Sequence, residues 1–267
     1  MRTTTRAALG AVAVLGLTLS GCASSAGSPA ASSSASGSST SRLTGTVTVF
    51  AAASLTGVFT DLGHRLEQQN PGLTVRFNFA GSSALATQLT QGAPADVFAS
   101  ADQAQMAVVT KAGLEQSPPV VFTKNVLEIA VPKGNPGHVT GLADFARPDL
   151  TLAVCAPQVP CGAAAQKVFA AAHVTARPDT EEQDVKAALT KVQLGEVDAA
   201  LVYATDVEAA GEKVEGIQFP EAQDAVNSYP ICVLKAAPDA KAAQAFVALV
   251  RSATGRQALT AAGFRSP

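Results

Sequence analysis

The chain has no tryptophan, two tyrosines, two methionines and three histidines in 267 residues. The histidines, His64, His138 and His173, are scattered, and no His or Cys spacing suits zinc. There is no Gly-x-Ser-x-Gly elbow and no phosphate-loop signature, which argues against the common serine hydrolases and nucleotide hydrolases. Charged residues make up only 15% of the chain, and acidic residues outnumber basic ones by 21 to 19. That balance disfavours binding to nucleic acid or to an anionic surface. Aromatics amount to 5%, so Ala and Val must carry the core and the helices are expected to be slim and closely packed. The Glu181-Glu182 pair reads as a solvated helix start rather than a catalytic dyad. No internal repeat is visible.

The N-terminus reads as a targeting segment. Arg2 and Arg6 precede the apolar stretch Ala7–Leu19, which is too short for a membrane span and ends in small residues, so 1–21 is expected to be a signal peptide. Leu19-Ser20-Gly21-Cys22 resembles the bacterial lipoprotein signal, in which Cys22 becomes the lipidated first residue; the alternative is an ordinary secretory leader with a chance cysteine. Residues 22–41 are almost entirely Ser, Ala and Gly after Cys22, a composition that builds no core and acts as a tether with a reach of roughly 25 Å. Without Arg2 and Arg6 the 19 basic residues fall to 17 against 21 acidic, a net charge of −4. Cys155, Cys161 and Cys232 remain. In an exported protein a pair usually oxidises. Cys155 and Cys161, flanking Ala156–Pro160, are the expected bridge and Cys232 a buried thiol; full reduction, or a bridge from Cys232 to one of the others, are the alternatives.

From about Arg42 strands alternate with helices, which predicts an α/β sandwich with mainly parallel strands and a ligand site at their carboxyl ends. Thr46–Ala52 reads as a buried strand. Ser54 is placed as the cap of a helix bearing Leu55, Val58, Phe59, Leu62 and Leu66 at helical spacing. Leu73, Val75, Phe77 and Phe79 alternate as a strand with one apolar face. Further strands are expected at Asp96–Ser100, Asn125–Pro132, Leu150–Val154, Ala199–Tyr203, Ile217–Phe219 and Tyr229–Lys235. Helices are expected at about 83–92, 101–112 and 162–172, after Asp184, and as one terminal helix over 240–262.

Two segments stand out: Val49-Phe50-Ala51-Ala52-Ala53-Ser54-Leu55 and Phe79-Ala80-Gly81-Ser82-Ser83-Ala84-Leu85. Each is an apolar run ending in a small-residue turn with Ser, followed by an amphipathic stretch. Hydroxyls and unpaired backbone N–H groups therefore gather at helix N-termini, which attract anions. Neither segment holds Lys or Arg. Val49–Thr56 and Phe79–Asp102 resemble the molybdate-binding proteins of bacterial ABC importers, and the similarity runs from about Thr46 to Phe264. The resemblance implies a two-lobed periplasmic-binding-protein fold (type II), each lobe a mainly parallel sheet flanked by helices, joined by two hinge crossovers. Lobe 1 is expected to comprise 42–124 and 234–267, and lobe 2 to comprise 125–233.

The resemblance also implies five ligand positions. These are Ser54 and Ser82, through hydroxyl and backbone N–H; the backbone N–H of Cys161 in Val159-Pro160-Cys161-Gly162; the backbone N–H of Val185; and the phenol of Tyr203. Ser83 is the neighbouring hydroxyl and reads as a plain cap. The family carries Ala where this chain carries Cys161, a change that leaves a backbone donor in place. The expected function is a lipid-anchored, extracytoplasmic, monomeric receptor for molybdate and tungstate, held outside the cell membrane through Cys22. It would serve a membrane permease, with no cofactor, no metal beyond the molybdenum of its ligand, no nucleic-acid partner and no catalytic residue. A receptor for another oxyanion, such as sulfate or thiosulfate, is the alternative, and an exported serine hydrolase using Ser54 or Ser82 a more distant one.

Overall fold

The computed structural model describes residues 42–267. The expected signal peptide, Cys22 and the Ser/Ala/Gly stretch lie outside the described residues. The chain runs β1 (Thr44–Ala52), α1 (Thr56–Gln69), β2 (Gly72–Ala80), α2 (Ser82–Thr90), β3 (Val97–Ala99), α3 (Gln103–Lys111) and β4 (Val120–Asn125). It continues as β5 (Leu127–Pro132), β6 (Leu152–Cys155), α4 (Pro160–Ala171), β7 (Thr180–Glu182), α5 (Val185–Gln193), β8 (Ala199–Tyr203), α6 (Ala204–Ala210), β9 (Val214–Ile217), β10 (Asn227–Val233), α7 (Ala240–Arg251) and α8 (Ala253–Ala261). Among the described residues no helix is long and apolar enough to cross a membrane.

Two five-stranded sheets form, in the orders β2-β1-β3-β10-β4 and β7-β6-β8-β5-β9. In the first, β1 is parallel to β2 and β3, and β10 is antiparallel to both its neighbours. In the second, β6 is parallel to β7 and β8, and β5 is antiparallel to both its neighbours. Each sheet thus has four co-directed strands and one reversed strand. The reversed strand is in each case the one by which the chain arrives from the other lobe. This is the two-lobed periplasmic-binding-protein fold that the resemblance implies.

The helical periodicity has a direct structural counterpart. Leu55, Val58, Phe59, Leu62 and Leu66 are all buried against the first sheet, where Phe59 packs on Phe122 and Phe246. Phe77 and Phe79 stack with centroids 4.9 Å apart on one face of β2. The second lobe has its own core, drawn from β5, β6, β8, α4 and α5.

Several boundaries differ from expectation. β10 starts at Asn227 and pairs within the first sheet, so the chain returns to lobe 1 before Asn227 and not at 234. The strand expected at 125–132 is β5, which starts at Leu127, and it is preceded by an unexpected strand, β4, in the other lobe. Glu181 and Glu182 lie in β7, not at a helix start. The single terminal helix is two helices, because Ser252 has extended backbone and its Oγ accepts the Gly255 N–H at 3.1 Å, starting α8 afresh.

The crossover strand β5 carries an electrostatic liability. Glu128 is only 9% exposed, and a Cβ at Gly216 would collide with its carboxylate. Burial, and then the nearby Glu208, hold its carboxyl above the usual carboxylate range. A carboxylate whose folded-state pKa is raised costs stability wherever it is ionised, and that cost is released as pH falls through the folded value. Glu128→Gln should therefore raise the melting temperature at neutral pH, and the gain should shrink as pH drops into the carboxylate range. Thermal denaturation across pH checks this; a neutral-pH loss of stability would refute it.

Candidate functional site

Five helical starts converge where the lobes meet. The turn Ala53–Leu55 follows β1, α2 follows β2, α4 follows β6, α5 follows β7 and α6 follows β8. A small cavity between them is lined by Ser54, Ser82, Cys161, Val185 and Tyr203, with Gly81 and Asp184 also on its wall. All five positions expected from the sequence are thus brought together, each from a different segment and each at or beside the first turn of a helical element. None is more than 8% exposed. Among the described residues no Lys or Arg lines the cavity.

Each start is built to leave donors free. The first amides of a helix have no partner within it. In α5, Asp184 Oδ1 accepts the N–H of Lys186 at 2.8 Å and of Ala187 at 3.0 Å, leaving the Val185 N–H as the first-turn amide that the cap does not use. In α4, Pro160 opens the helix without an N–H to satisfy, and Cys161 follows as the first donor. The structure joins Cys155 to Cys161 by a disulfide, and Cys232 is a buried free thiol with its pKa pushed up to about 12 by burial. Gly162 is required beside the bridge, since a Cβ there would strike the carbonyls of Ala156 and Cys155.

The serines do not act as caps. Ser54 is inside the turn that precedes α1, and neither it nor any other side chain caps that helix. Its Oγ lies instead 3.0 Å from the Tyr229 hydroxyl. Ser82 is the first residue of α2, with Gly81 as its uncapped predecessor, and its Oγ accepts the Ala101 N–H at 2.9 Å. Ser83 makes no cap either. The capping roles expected of Ser54 and Ser83 are therefore absent, because both helices begin a residue or more away from where the Ser pattern suggested.

Tyr203 is 1% exposed at the end of β8. Its hydroxyl accepts a hydrogen bond from Asn227 Nδ2 at 3.1 Å. Burial, and then the neighbouring Tyr229, hold its pKa well above that of a free phenol, so it remains a proton donor throughout the neutral range. Its backbone is fixed by Asp206, a fully buried carboxylate that accepts the Tyr203 N–H at 3.2 Å and pairs with Lys186 at 2.8 Å. Burial raises the Asp206 pKa and Lys186 opposes the rise. The cation that follows Val185 is thus already matched by an anion. Asn125, Asn227, Tyr229 and the Lys186–Asp206 pair escaped sequence reasoning; the Asp three residues beyond Tyr203, in a capping-box spacing, was the one available signal.

Direct contacts clasp the lobes around the cavity. Gln105 Nε2 donates to the Gln158 carbonyl at 3.1 Å, and a Cβ at Gly81 would collide with the Gln183 carbonyl. Gly81 is therefore the residue that lets the two rims approach. The cavity measures about 10 Å³, room for about one water on the same measure, so a tetrahedral anion would spread the lobes slightly. A larger groove of about 480 Å³ shares the Ser54 wall and carries charges of both signs: Asp61, Arg65, Lys186 and Glu208.

Residues 47–265 match the family model of bacterial extracellular solute-binding proteins. The chain is 45% identical over 257 residues to the molybdate-binding protein ModA of Mycobacterium tuberculosis H37Rv, spanning 96% of this chain and 95% of that one. The solved periplasmic molybdate-binding protein of Azotobacter vinelandii superposes with a TM-score of 0.71 at 20% identity, over 83% of this chain and 99% of that one. The sulfate-binding protein SubI of Mycobacterium tuberculosis H37Rv does so at 0.68 and 18% identity, over 83% and 86%. These two likenesses speak for the fold alone. The chain belongs to the bacterial extracellular solute-binding proteins, in the family of the molybdate-binding protein ModA.

Proposed function

We propose that this protein is an extracytoplasmic receptor that binds molybdate, and tungstate with it, and delivers the anion to the permease of an ABC importer. Cys22 would carry the lipid that holds it at the outer face of the cell membrane as a monomer. The observation that carries the reading is the convergence of Ser54, Ser82, Cys161, Val185 and Tyr203 on one small cavity that offers donors and no cationic side chain. A tetrahedral dianion buried without compensation would be prohibitively costly. Hydrogen bonds to a charged group contribute about 1.5–3 kcal/mol each, and helix starts add their dipoles. Neutral donors also leave no stranded countercharge when the ligand departs, which suits a carrier. A hydrolase reading has little support: the Ser54 hydroxyl meets a phenol and the Ser82 hydroxyl a backbone amide, with no imidazole or carboxylate at either.

Calorimetric titration with four anions tests the assignment. Molybdate and tungstate should bind with similar affinity. Sulfate is smaller and would leave donors stretched, so it should bind at least about a hundredfold more weakly, a gap of roughly 2.7 kcal/mol. Phosphate should bind poorly, since it keeps a proton at neutral pH and meets few acceptors. Equal or tighter binding of sulfate would replace molybdate by sulfate as the ligand.

Single substitutions test the contacts. Ser54→Ala should weaken molybdate about ten- to a hundredfold. Because the hydroxyl caps no helix, the melting temperature without ligand should fall by no more than about 4 °C, the shift expected for one lost hydrogen bond in a chain of this size. Tyr203→Phe should weaken molybdate by a similar or smaller factor. Unchanged affinity in both variants would remove these groups from the site.

A further inference from the structure

A hydroxyl carries one proton and two lone pairs and rotates to suit its neighbours, so it accepts as readily as it donates. A receptor for a fully deprotonated oxyanion needs its hydroxyls to donate only. In this structure each of the three site hydroxyls has a second neutral group positioned at its oxygen. Ser82 Oγ accepts the Ala101 N–H at 2.9 Å. Tyr203 Oη accepts an N–H of Asn227 at 3.1 Å. Ser54 Oγ lies 3.0 Å from Tyr229 Oη, and here either oxygen can donate. The Asn227 amide uses its remaining N–H on the Ala101 carbonyl at 2.8 Å, so its orientation is fixed.

Asn227 and Tyr229 stand two residues apart on β10, and side chains at that spacing share one face of a strand. Both are buried, at 7% and 0% exposure. β10 is the reversed strand of the first sheet and the first element after the return from the second lobe. One strand face therefore touches the Tyr203 hydroxyl of lobe 2 and the Ser54 hydroxyl of lobe 1. The Tyr229 ring is held edge-on by Phe122, Tyr203 and Phe264.

We propose that Asn227 and Tyr229 are positioning residues for anion recognition, an inference that rests on the receptor reading above. Asn227 donates to Tyr203, Tyr229 donates to Ser54, and each donation occupies a lone pair of the accepting hydroxyl and so favours its own proton turning toward the cavity. Ala101 does the same for Ser82 through the backbone. The second layer biases three ambivalent hydroxyls toward donating, and it leaves them fewer lone pairs to offer the O–H of a monoprotonated oxyanion. Since Asn227 bonds Ala101 of one lobe and Tyr203 of the other, the layer assembles fully only when the lobes are together.

Two double-mutant cycles, read by calorimetry with molybdate, test this. Tyr229→Phe should weaken binding about tenfold in the otherwise wild-type protein and by less than about twofold when Ser54→Ala is already present. Asn227→Ala should behave likewise with and without Tyr203→Phe. A residue with a merely structural role would weaken binding equally in both backgrounds, and that additivity, or no weakening at all, would overturn the inference. Tyr229→Phe retains the ring and its three aromatic contacts, so its cycle decides alone if Asn227→Ala does not fold. A wild-type protein that binds no molybdate would fail the receptor reading and the inference with it. A wild type that binds, with additive cycles, would fail only the inference.

Discussion

On the proposed receptor reading, burying a doubly negative ion without a countercharge is the constraint around which the molecule is arranged. Every oxygen of such an ion needs a hydrogen-bond donor, and donors in a protein interior come cheapest as amides that the fold leaves unpaired. Strand-to-helix turns at the carboxyl edge of a parallel sheet supply them. Two sheets facing each other double the number of such turns, and the cavity lies where five of them meet. Of the carboxylates near those turns, Asp206 pairs with Lys186, and Asp184 turns one oxygen to two amides of α5.

The same constraint gives the hinge strands their chemistry. Asn125 ends β4, Asn227 starts β10, and the two stand opposite each other in register at the crossover. Asn125 Nδ2 donates to Thr205 of the second lobe at 2.8 Å, and Asn227 to Tyr203 of that lobe. Hydrogen bonds from the hinge thus reach the element that carries the site phenol. At the rim, where the lobes touch, the requirement is the opposite: a residue with no side chain. Gly81 meets it against the Gln183 carbonyl.

How much of this could be read from the sequence depends on how local the signal is. The buried stripe of α1 and the alternation of Leu73, Val75, Phe77 and Phe79 are set by neighbours in the chain, and they predict a helix and a strand that form. β4 was missed because Val120–Asn125 runs into Leu127–Pro132 with one residue between them, and no local pattern says that the two belong to different lobes. β7 was missed because three residues including two glutamates carry no apolar alternation. The break at Ser252 was hidden by an apolar stripe that continues on both sides of it. For the site, the turns around Ser54 and Ser82 announce unpaired amides by themselves, whereas Cys161, Val185 and Tyr203 were reached only through a family resemblance. Tyr229 and Asn227 sit in an ordinary buried strand, and their partners lie 175 and 24 residues away. Nothing in a single sequence marks such pairs.

The measurement that bears most directly on an anion site without a cationic side chain is a crystal structure of the protein with molybdate. The account predicts the anion in the small cavity, with oxygens within about 3.2 Å of the Cys161 and Val185 amides and of the Ser54, Ser82 and Tyr203 hydroxyls, and with no Lys or Arg in contact. An anion held instead in the adjoining groove by Arg65 or Lys186, or reached by any cationic side chain, would contradict it.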